Sequence, residues 1–312
     1  MKNTQLKAGN NDDGRRIDRI LRRYCQDMPV SAVYRLLRKG QVLIDGKRSE
    51  QGTRVRSGQV IEIRGADIPD VAARPANSVE SKINVLYEDE DILAIDKPGG
   101  VSSQEELGAM VRGYLAGKIA PSLSFRPGPL HRLDRYASGV IVFGVSLAGA
   151  QQFSAMMRGS LLKKTYVALL EGCLYSAEIC RDDLIYSGSA RKTRIMGQTY
   201  GKNGGINKNN NEKVKYAQTR LSPLEVRGGL TLAEVEITTG RTHQIRAQAA
   251  ARGFPLYGDR KYGSKNSPPF FLHACRLQFP KDSRFPSVIS APVPYAFSQK
   301  LIELGFHVPA LG

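Results

Sequence analysis

The sequence predicts an α+β protein in two parts: a large domain on a mixed, largely antiparallel sheet, preceded by a small α/β unit of two helices and two strands. Three observations lead there. Runs such as Leu230-Thr231-Leu232-Ala233-Glu234-Val235-Glu236-Ile237 alternate at period two, the pattern of a strand with one packed face. Helical patterns are short and scattered among them, and the chain lacks the glycine fingerprint of a parallel nucleotide-binding fold. Near the N-terminus, Ile17, Ile20, Leu21 and Tyr24 fall at i, i+3, i+4 and i+7, an amphipathic helix with arginine on its other face. The expected division of the 312 residues is a flexible tail over 1–14, the small unit over 15–64, a linker over 65–82 and the large domain over 83–312.

Taken in order, Asn10-Asn11-Asp12-Asp13-Gly14 has no apolar periodicity, hence the tail. After the first helix, Pro29-Val30-Ser31 opens a second, with Ser31 as its cap and Gly40 as its end. The strands Gln41–Ile44 and Gln59–Ile63 follow, with turns at Asp45-Gly46 and Ser57-Gly58. Residues 65–82 carry proline and alanine without periodicity. Two strands then flank the acidic turn Glu88-Asp89-Glu90, and the second ends at the corner Lys97-Pro98-Gly99-Gly100, where Lys97 is either a phosphate contact or, more commonly for a turn lysine, simply solvated. A helix over Glu105–Ala116, a helix capped by Ser146, a strand over Lys163–Leu170 and further strands within 181–226 come next. Gly201–Glu212 has too few apolar residues to pack and reads as an exposed loop. Thr238-Thr239-Gly240-Arg241-Thr242-His243-Gln244-Ile245-Arg246 runs from strand through glycine turn into helix, leaving backbone amides for an anion.

Composition narrows the function. Forty-six Lys and Arg against 29 Asp and Glu give a net charge of +17, which favours a polyanion, nucleic acid first. Thirteen basic and five acidic residues lie between Arg15 and Arg64, so about half the excess charge sits on the small unit. No apolar run approaches the roughly 20 residues of a membrane span, and Met1-Lys2-Asn3-Thr4-Gln5 lacks the apolar core of a signal peptide, so a cytoplasmic protein is expected. Cys25, Cys173, Cys180 and Cys275 form no Cys-x-x-Cys pair and the four histidines have no ligand spacing; reduced thiols and no metal are expected.

The most unusual stretch is Pro129-Leu130-His131-Arg132-Leu133-Asp134-Arg135-Tyr136-Ala137-Ser138-Gly139, before the apolar run Val140–Val145. A carboxylate between Arg132 and Arg135 at a strand entrance is either a solvated surface pair or a nucleophile held ionised. Local pattern alone leaves both open.

The order of motifs decides between them. The small unit resembles the S-four-like RNA-binding domain through Arg16-Ile17-Asp18-Arg19-Ile20-Leu21, Leu36-Leu37-Arg38-Lys39-Gly40-Gln41-Val42, Ile44-Asp45-Gly46-Lys47 and Val55-Arg56-Ser57-Gly58-Gln59. From about Arg15 to Phe279 the chain resembles the RluA-type pseudouridine synthases. It carries Asp96-Lys97-Pro98-Gly99, then His131-Arg132-Leu133-Asp134 with Ser138-Gly139, then Lys164-Thr165-Tyr166, then Thr239–Arg246 followed by Gly258-Asp259.

The resemblance implies isomerisation of uridine in RNA to pseudouridine, without cofactor or metal, in the pseudouridine synthase fold. It makes Asp134 the nucleophile, attacking either C1′ or the uracil ring. Tyr166 would stack on the base and assist proton transfer at C5, and Arg246 would pair with Asp134 and keep it ionised. Arg132 would extrude the target nucleotide, and Leu272 and Ile245 would support the pocket. Lys97, Arg19, Arg22, Arg38 and Lys39 would contact RNA. The expected partner is ribosomal RNA, as precursor or in the assembling large subunit, and the expected state is a monomer. Tyr136-Ala137, Ser102-Ser103-Gln104 and Leu256-Tyr257 depart from the family pattern. The alternatives are a transfer-RNA synthase, a catalytically silent assembly factor, and a nucleoside or glycoside hydrolase, which would need a second carboxylate as acid.

Overall fold

The computed structural model describes residues 3–65, 83–119, 122–196 and 214–310. The linker expected over 65–82 and the loop expected over Gly201–Glu212 lie, apart from Gly65, outside them.

The N-terminal unit contains β1 (Asn3–Lys7), α1 (Ile17–Tyr24), α2 (Val30–Arg38), β2 (Val42–Ile44), β3 (Lys47–Arg48) and β4 (Val60–Arg64). The strands form an antiparallel sheet in the order β1-β4-β2-β3. The apolar face of α1 packs with Leu36, Leu37, Val42 and Ile61 into one core. Asp45 and Gly46 take positive φ (48° and 77°), which closes the tight β2–β3 hairpin. Ser31 lies inside α2 and caps nothing; Pro29 precedes the helix, its fixed φ suited to the entry.

The expected tail is corrected. Residues 3–7 pair with β4, and Asp12 is fully buried. Its carboxylate accepts from Ser122 Oγ (2.8 Å), Ser124 Oγ (2.6 Å) and the amides of Leu123 and Ser124 (both 3.1 Å), tying this unit to the segment before the Asp134 stretch. The pairing of β1 runs through backbone groups and one buried side chain, Leu6, so its apolar pattern is too short to read.

The large unit contains β5 (Asn84–Glu88), β6 (Ile92–Lys97), α3 (Glu106–Leu115), β7 (Gly128–Pro129), β8 (Ser138–Gly144), α4 (Leu147–Arg158), β9 (Lys163–Glu171), β10 (Glu178–Ser187) and β11 (Lys192–Ile195). It continues through β12 (Val214–Arg227), β13 (Leu230–Ile237), α5 (Gln244–Ala251), β14 (Leu272–Gln278), β15 (Val288–Ser290) and α6 (Tyr295–Glu303). The main path of the sheet is β11-β10-β12-β13-β9-β14-β8-β6-β5, with β15 on β14 and β7 on β8. Every pairing among these is antiparallel except β14 with β8. One core joins Ile95, Ile141, Phe143, Ala168 and Val235 to α3 and α5. A second places Ile92, Val142 and Phe153 of α4 together.

Two motifs read for function turn out to build the frame. The corner lysine Lys97 is fully buried, and its ammonium donates to the carbonyls of Pro98 (2.8 Å), Val101 (2.9 Å) and Arg135 (3.0 Å). Burial, partly offset by Asp134, brings its pKa down to about 8. Lys97 is therefore withdrawn from the RNA contacts: a buried donor whose hydrogens are taken by three carbonyls has none left for phosphate.

Ser138 and Gly139 set the parallel seam. Ser138 Oγ is 3.0 Å from His273 Nδ1, and His273 Nε2 is 3.1 Å from the Ala291 carbonyl, so Nε2–H donates there and Nδ1 accepts the serine proton. Gly139 has φ 105°, and a Cβ there would lie 2.2 Å from the Ala274 carbonyl oxygen. Gly139→Ala is expected to cost about 3 kcal/mol or more, from backbone strain and overpacking together. Thermal unfolding checks this, and an unchanged midpoint would contradict the seam.

Candidate active site

The loop between β7 and β8 is clamped at two points just before Asp134. The Val142 amide donates to His131 Nε2 (3.0 Å), and the imidazole stacks on Phe153 at 5.7 Å between centroids. Burial and the nearby Lys164 charge push His131 down to about 3, so it is neutral, as an acceptor must be. Ser103 Oγ donates to the Leu133 carbonyl (3.0 Å) and accepts from its amide (3.3 Å). That serine stands in the segment read as a departure from the family; here it grips the residue before Asp134.

Asp134 does not pair with its sequence neighbours. Arg135 turns outward to the Gly100 carbonyl (2.8 Å) and Glu106 (3.0 Å). Arg132 is exposed at the rim of the cavity. The partner of Asp134 Oδ2 is Arg246 Nη1 at 3.0 Å, from the first turn of α5.

Arg246 is over-determined. Its Nε and Nη2 fork onto Asp259 at 2.6 and 2.8 Å, and its guanidinium lies 4.9 Å from the Tyr262 ring centroid and 4.5 Å from that of Phe270. Burial works to lower its pKa, but the Asp259 hydrogen bonds and the Asp134 and Asp259 charges outweigh that and raise it. A planar cation stacked between rings and forked to one carboxylate has one direction left for Nη1, and that direction is Asp134.

The turn before α5 is fixed just as tightly. Gln244, nearly fully buried, accepts from the Arg241 amide (3.0 Å) and Thr239 Oγ1 (2.8 Å) and donates to the Gln218 carbonyl and Thr219 Oγ1 (both 3.0 Å). The amides expected to be open for an anion are thus partly filled by the chain itself. His243 sits at φ 52°, in the left-handed region that histidine, like asparagine and aspartate, enters more often than other non-glycine residues. Tyr262 Oη accepts from the Thr193 amide (2.8 Å), which leaves its own proton for His243 Nδ1 (3.0 Å). The imidazole then carries its proton on Nε2, 3.9 Å from Asp134 Oδ1. Burial lowers the His243 pKa against the pull of Asp134, in keeping with a neutral ring.

These groups surround an open cavity of about 150 Å³ that Tyr166, Ile245 and Leu272 also line. Tyr166 is buried, and burial together with the Asp134 charge raises its pKa well above the ordinary phenol value, so its hydroxyl stays protonated. Ile245 and Leu272 are 5% and 6% exposed. The cavity thus brings together all three residues expected to be catalytic, both supporting residues and Arg132. Arg19, Arg22, Arg38 and Lys39 are exposed on the N-terminal unit, away from it; Arg19 and Arg22 line a separate groove with Arg15, Arg23 and Phe125.

Sequence reasoning gave no role to Asp259, Tyr262, Phe270, Ser103 or His243. For Asp259 a signal existed in the Gly258-Asp259 pair; for the others only the fold reveals the contact. Among the described residues Asp134 is the one carboxylate lining the cavity, and none of them supplies the second carboxylate that glycoside hydrolysis needs there. Among the described residues no group of His, Cys, Asp and Glu is arranged to hold a metal, and no helix is long and apolar enough to cross a membrane.

A cavity carboxylate with an arginine counter-charge and a buried tyrosine, on a largely antiparallel α+β sheet, is the arrangement that the resemblance to RNA-modifying enzymes implies. Residues 91–251, just over half the chain, match the RNA pseudouridylate synthase family and take in Asp134, Tyr166 and Arg246. The chain belongs to that family and is an RNA pseudouridine synthase, an isomerase. It is 29% identical over 312 residues to ribosomal large subunit pseudouridine synthase C of Vibrio parahaemolyticus, with 93% of each chain covered. It is also 29% identical over 286 residues to the protein of that name from Salmonella typhi, covering 85% of each. To the uncharacterized RNA pseudouridine synthase YlyB of Bacillus subtilis it is 26% identical over 315 residues, covering 97% of this chain and 98% of that one. The solved structure of human RNA pseudouridylate synthase domain containing 4 shares the fold, with a TM-score of 0.58 at 21% identity over 73% of this chain and 95% of that one. Human RNA pseudouridylate synthase domain containing 1 does so with a TM-score of 0.53 at 22% identity over 73% and 97%.

Proposed function

We propose that this protein converts specific uridines of large-subunit ribosomal RNA to pseudouridine, with Asp134 as nucleophile. The observation that carries the chemistry is the Arg246–Asp134 pair at 3.0 Å inside the cavity. The relatives named for the large ribosomal subunit support the RNA. Arg246 gives the carboxylate a fixed hydrogen-bond partner and counter-charge in a site that must exclude water, since water at C1′ would hydrolyse the sugar. The N-glycosidic bond breaks, the uracil turns, its C5 joins C1′, and C5 then gives up its proton while N1 takes one, so the product is an isomer of the substrate.

Tyr166, protonated at neutral pH, stacks on the base and lends a hydroxyl; its raised pKa argues against a phenolate base in the resting enzyme. Leu272 and Ile245 wall the base, and His243 Nε2–H faces the second Asp134 oxygen. Arg132, at the rim, fills the gap left by the extruded nucleotide, offsetting an unstacking cost of a few kcal/mol. The N-terminal unit holds structured RNA through Arg19, Arg22, Arg38 and Lys39.

Mapping pseudouridine across total RNA with and without the gene tests this. The expected result is loss of one or a few sites in large-subunit ribosomal RNA. Loss confined to transfer RNA would overturn the assignment of the RNA, and loss of no site would overturn the activity.

A further inference from the structure

Lys164 is a buried cation that the catalytic constellation does not use. It is 7% exposed and lines the same cavity as Asp134 and Tyr166. Among the described residues its ammonium forms no ion pair, and its one hydrogen-bond partner is the Met157 thioether at 3.6 Å. A buried charge held by a sulfur is costly and points to an absent partner.

The surroundings say what kind. Arg241 lines the same cavity, its Nε on the Tyr216 carbonyl (3.0 Å), and its charge works against that of Lys164. A Cβ at Gly240 would lie 3.3 Å from the Lys164 ammonium, so the glycine keeps the space beside it clear. The carboxylate of the cavity, Asp134, is taken by Arg246. A neutral uracil carbonyl would satisfy one donor and leave two adjacent cations uncompensated, whereas a phosphate answers both.

We propose that Lys164 and Arg241, meeting beside Gly240, form a subsite for an RNA backbone phosphate flanking the flipped uridine. The proposal rests on the reading that the cavity takes a flipped nucleotide. The subsite anchors the nucleotide through its backbone, so it contributes to binding and leaves the chemistry to Asp134.

The test uses the full chain, a short RNA hairpin spanning one mapped target, and Lys164→Met. Because the variant removes an uncompensated buried charge, its thermal midpoint should rise, whereas a structural lysine would lower it. Its KM for the hairpin should rise about tenfold or more, the worth of a charged hydrogen bond, with kcat within about threefold of the parent. A neutral methylphosphonate at one of the two phosphates flanking the target should cost the parent a similar factor and cost Lys164→Met, which keeps only Arg241 there, clearly less. Burial brings Lys164 down to about 8, and the charged form binds phosphate, so kcat/KM of the parent should carry a fall through pH 8 that the variant lacks. Arg241 and His131 face Lys164; His131, at about 3, does not titrate there, and Lys97, also at about 8, is common to both proteins. Equal methylphosphonate losses in parent and variant, or a parental KM in the variant, would overturn the subsite. Failure of the parent to convert the unmodified hairpin would instead overturn the reading beneath it.

Discussion

Arg246→Met is expected to destabilise the protein by about 3–5 kcal/mol, the cost of leaving a buried carboxylate without its counter-charge. Asp259 is 2% exposed and both its oxygens are bonded to that guanidinium, so the loss falls mainly there. Arg246→Lys retains the charge and loses the fork and the stacking between Tyr262 and Phe270, and its stability should fall between the two. Urea unfolding measures both. The double variant Arg246→Met, Asp259→Leu should recover most of the stability, because an apolar pair can replace a buried ionic one, yet it should remain inactive because Asp134 has lost its partner. Recovery of activity in that double variant would contradict the role given to Arg246.

Asp134→Asn should lower the single-turnover rate by at least about 10³-fold, the scale seen when a nucleophile is removed. The change preserves shape, and Arg246 retains its fork to Asp259, so folding stability should shift by no more than about 1 kcal/mol. RNA affinity should hold, since binding rests on the cationic groups of the rim and of the N-terminal unit. Turnover within tenfold of the parent would remove Asp134 from the mechanism. Loss of RNA binding would make it a structural residue of the loop.

How much of this was legible in the sequence depends on how far each signal reaches along the chain. The period-two run at β13 and the i, i+3, i+4 spacing of α1 are local, and both elements formed as their patterns indicate. Strand β1 escaped because only Leu6 marks it. The motif carrying Asp134 was visible, yet its flanking arginines suggested the wrong partner. Arg135 turns to Glu106, and the counter-charge comes from 112 residues further on, as the resemblance implied and no local spacing could indicate. Lys97 shows the opposite failure, since a lysine at a Pro-Gly corner looks solvated or free for phosphate until three carbonyls are found around it. The Thr193–Tyr262–His243 chain was illegible because its members lie on three separate segments that meet only in the fold.

The most direct test of the central claim follows the hydrogen on uracil C5. Large-subunit ribosomal RNA transcribed without modification and carrying tritium at C5 is incubated with the parent protein and with Asp134→Asn. Bonding of C5 to C1′ replaces that tritium, so the parent should release it to water in a fixed ratio to RNA while Asp134→Asn releases none. Absence of release by the parent, or release accompanied by free uracil, would contradict the account.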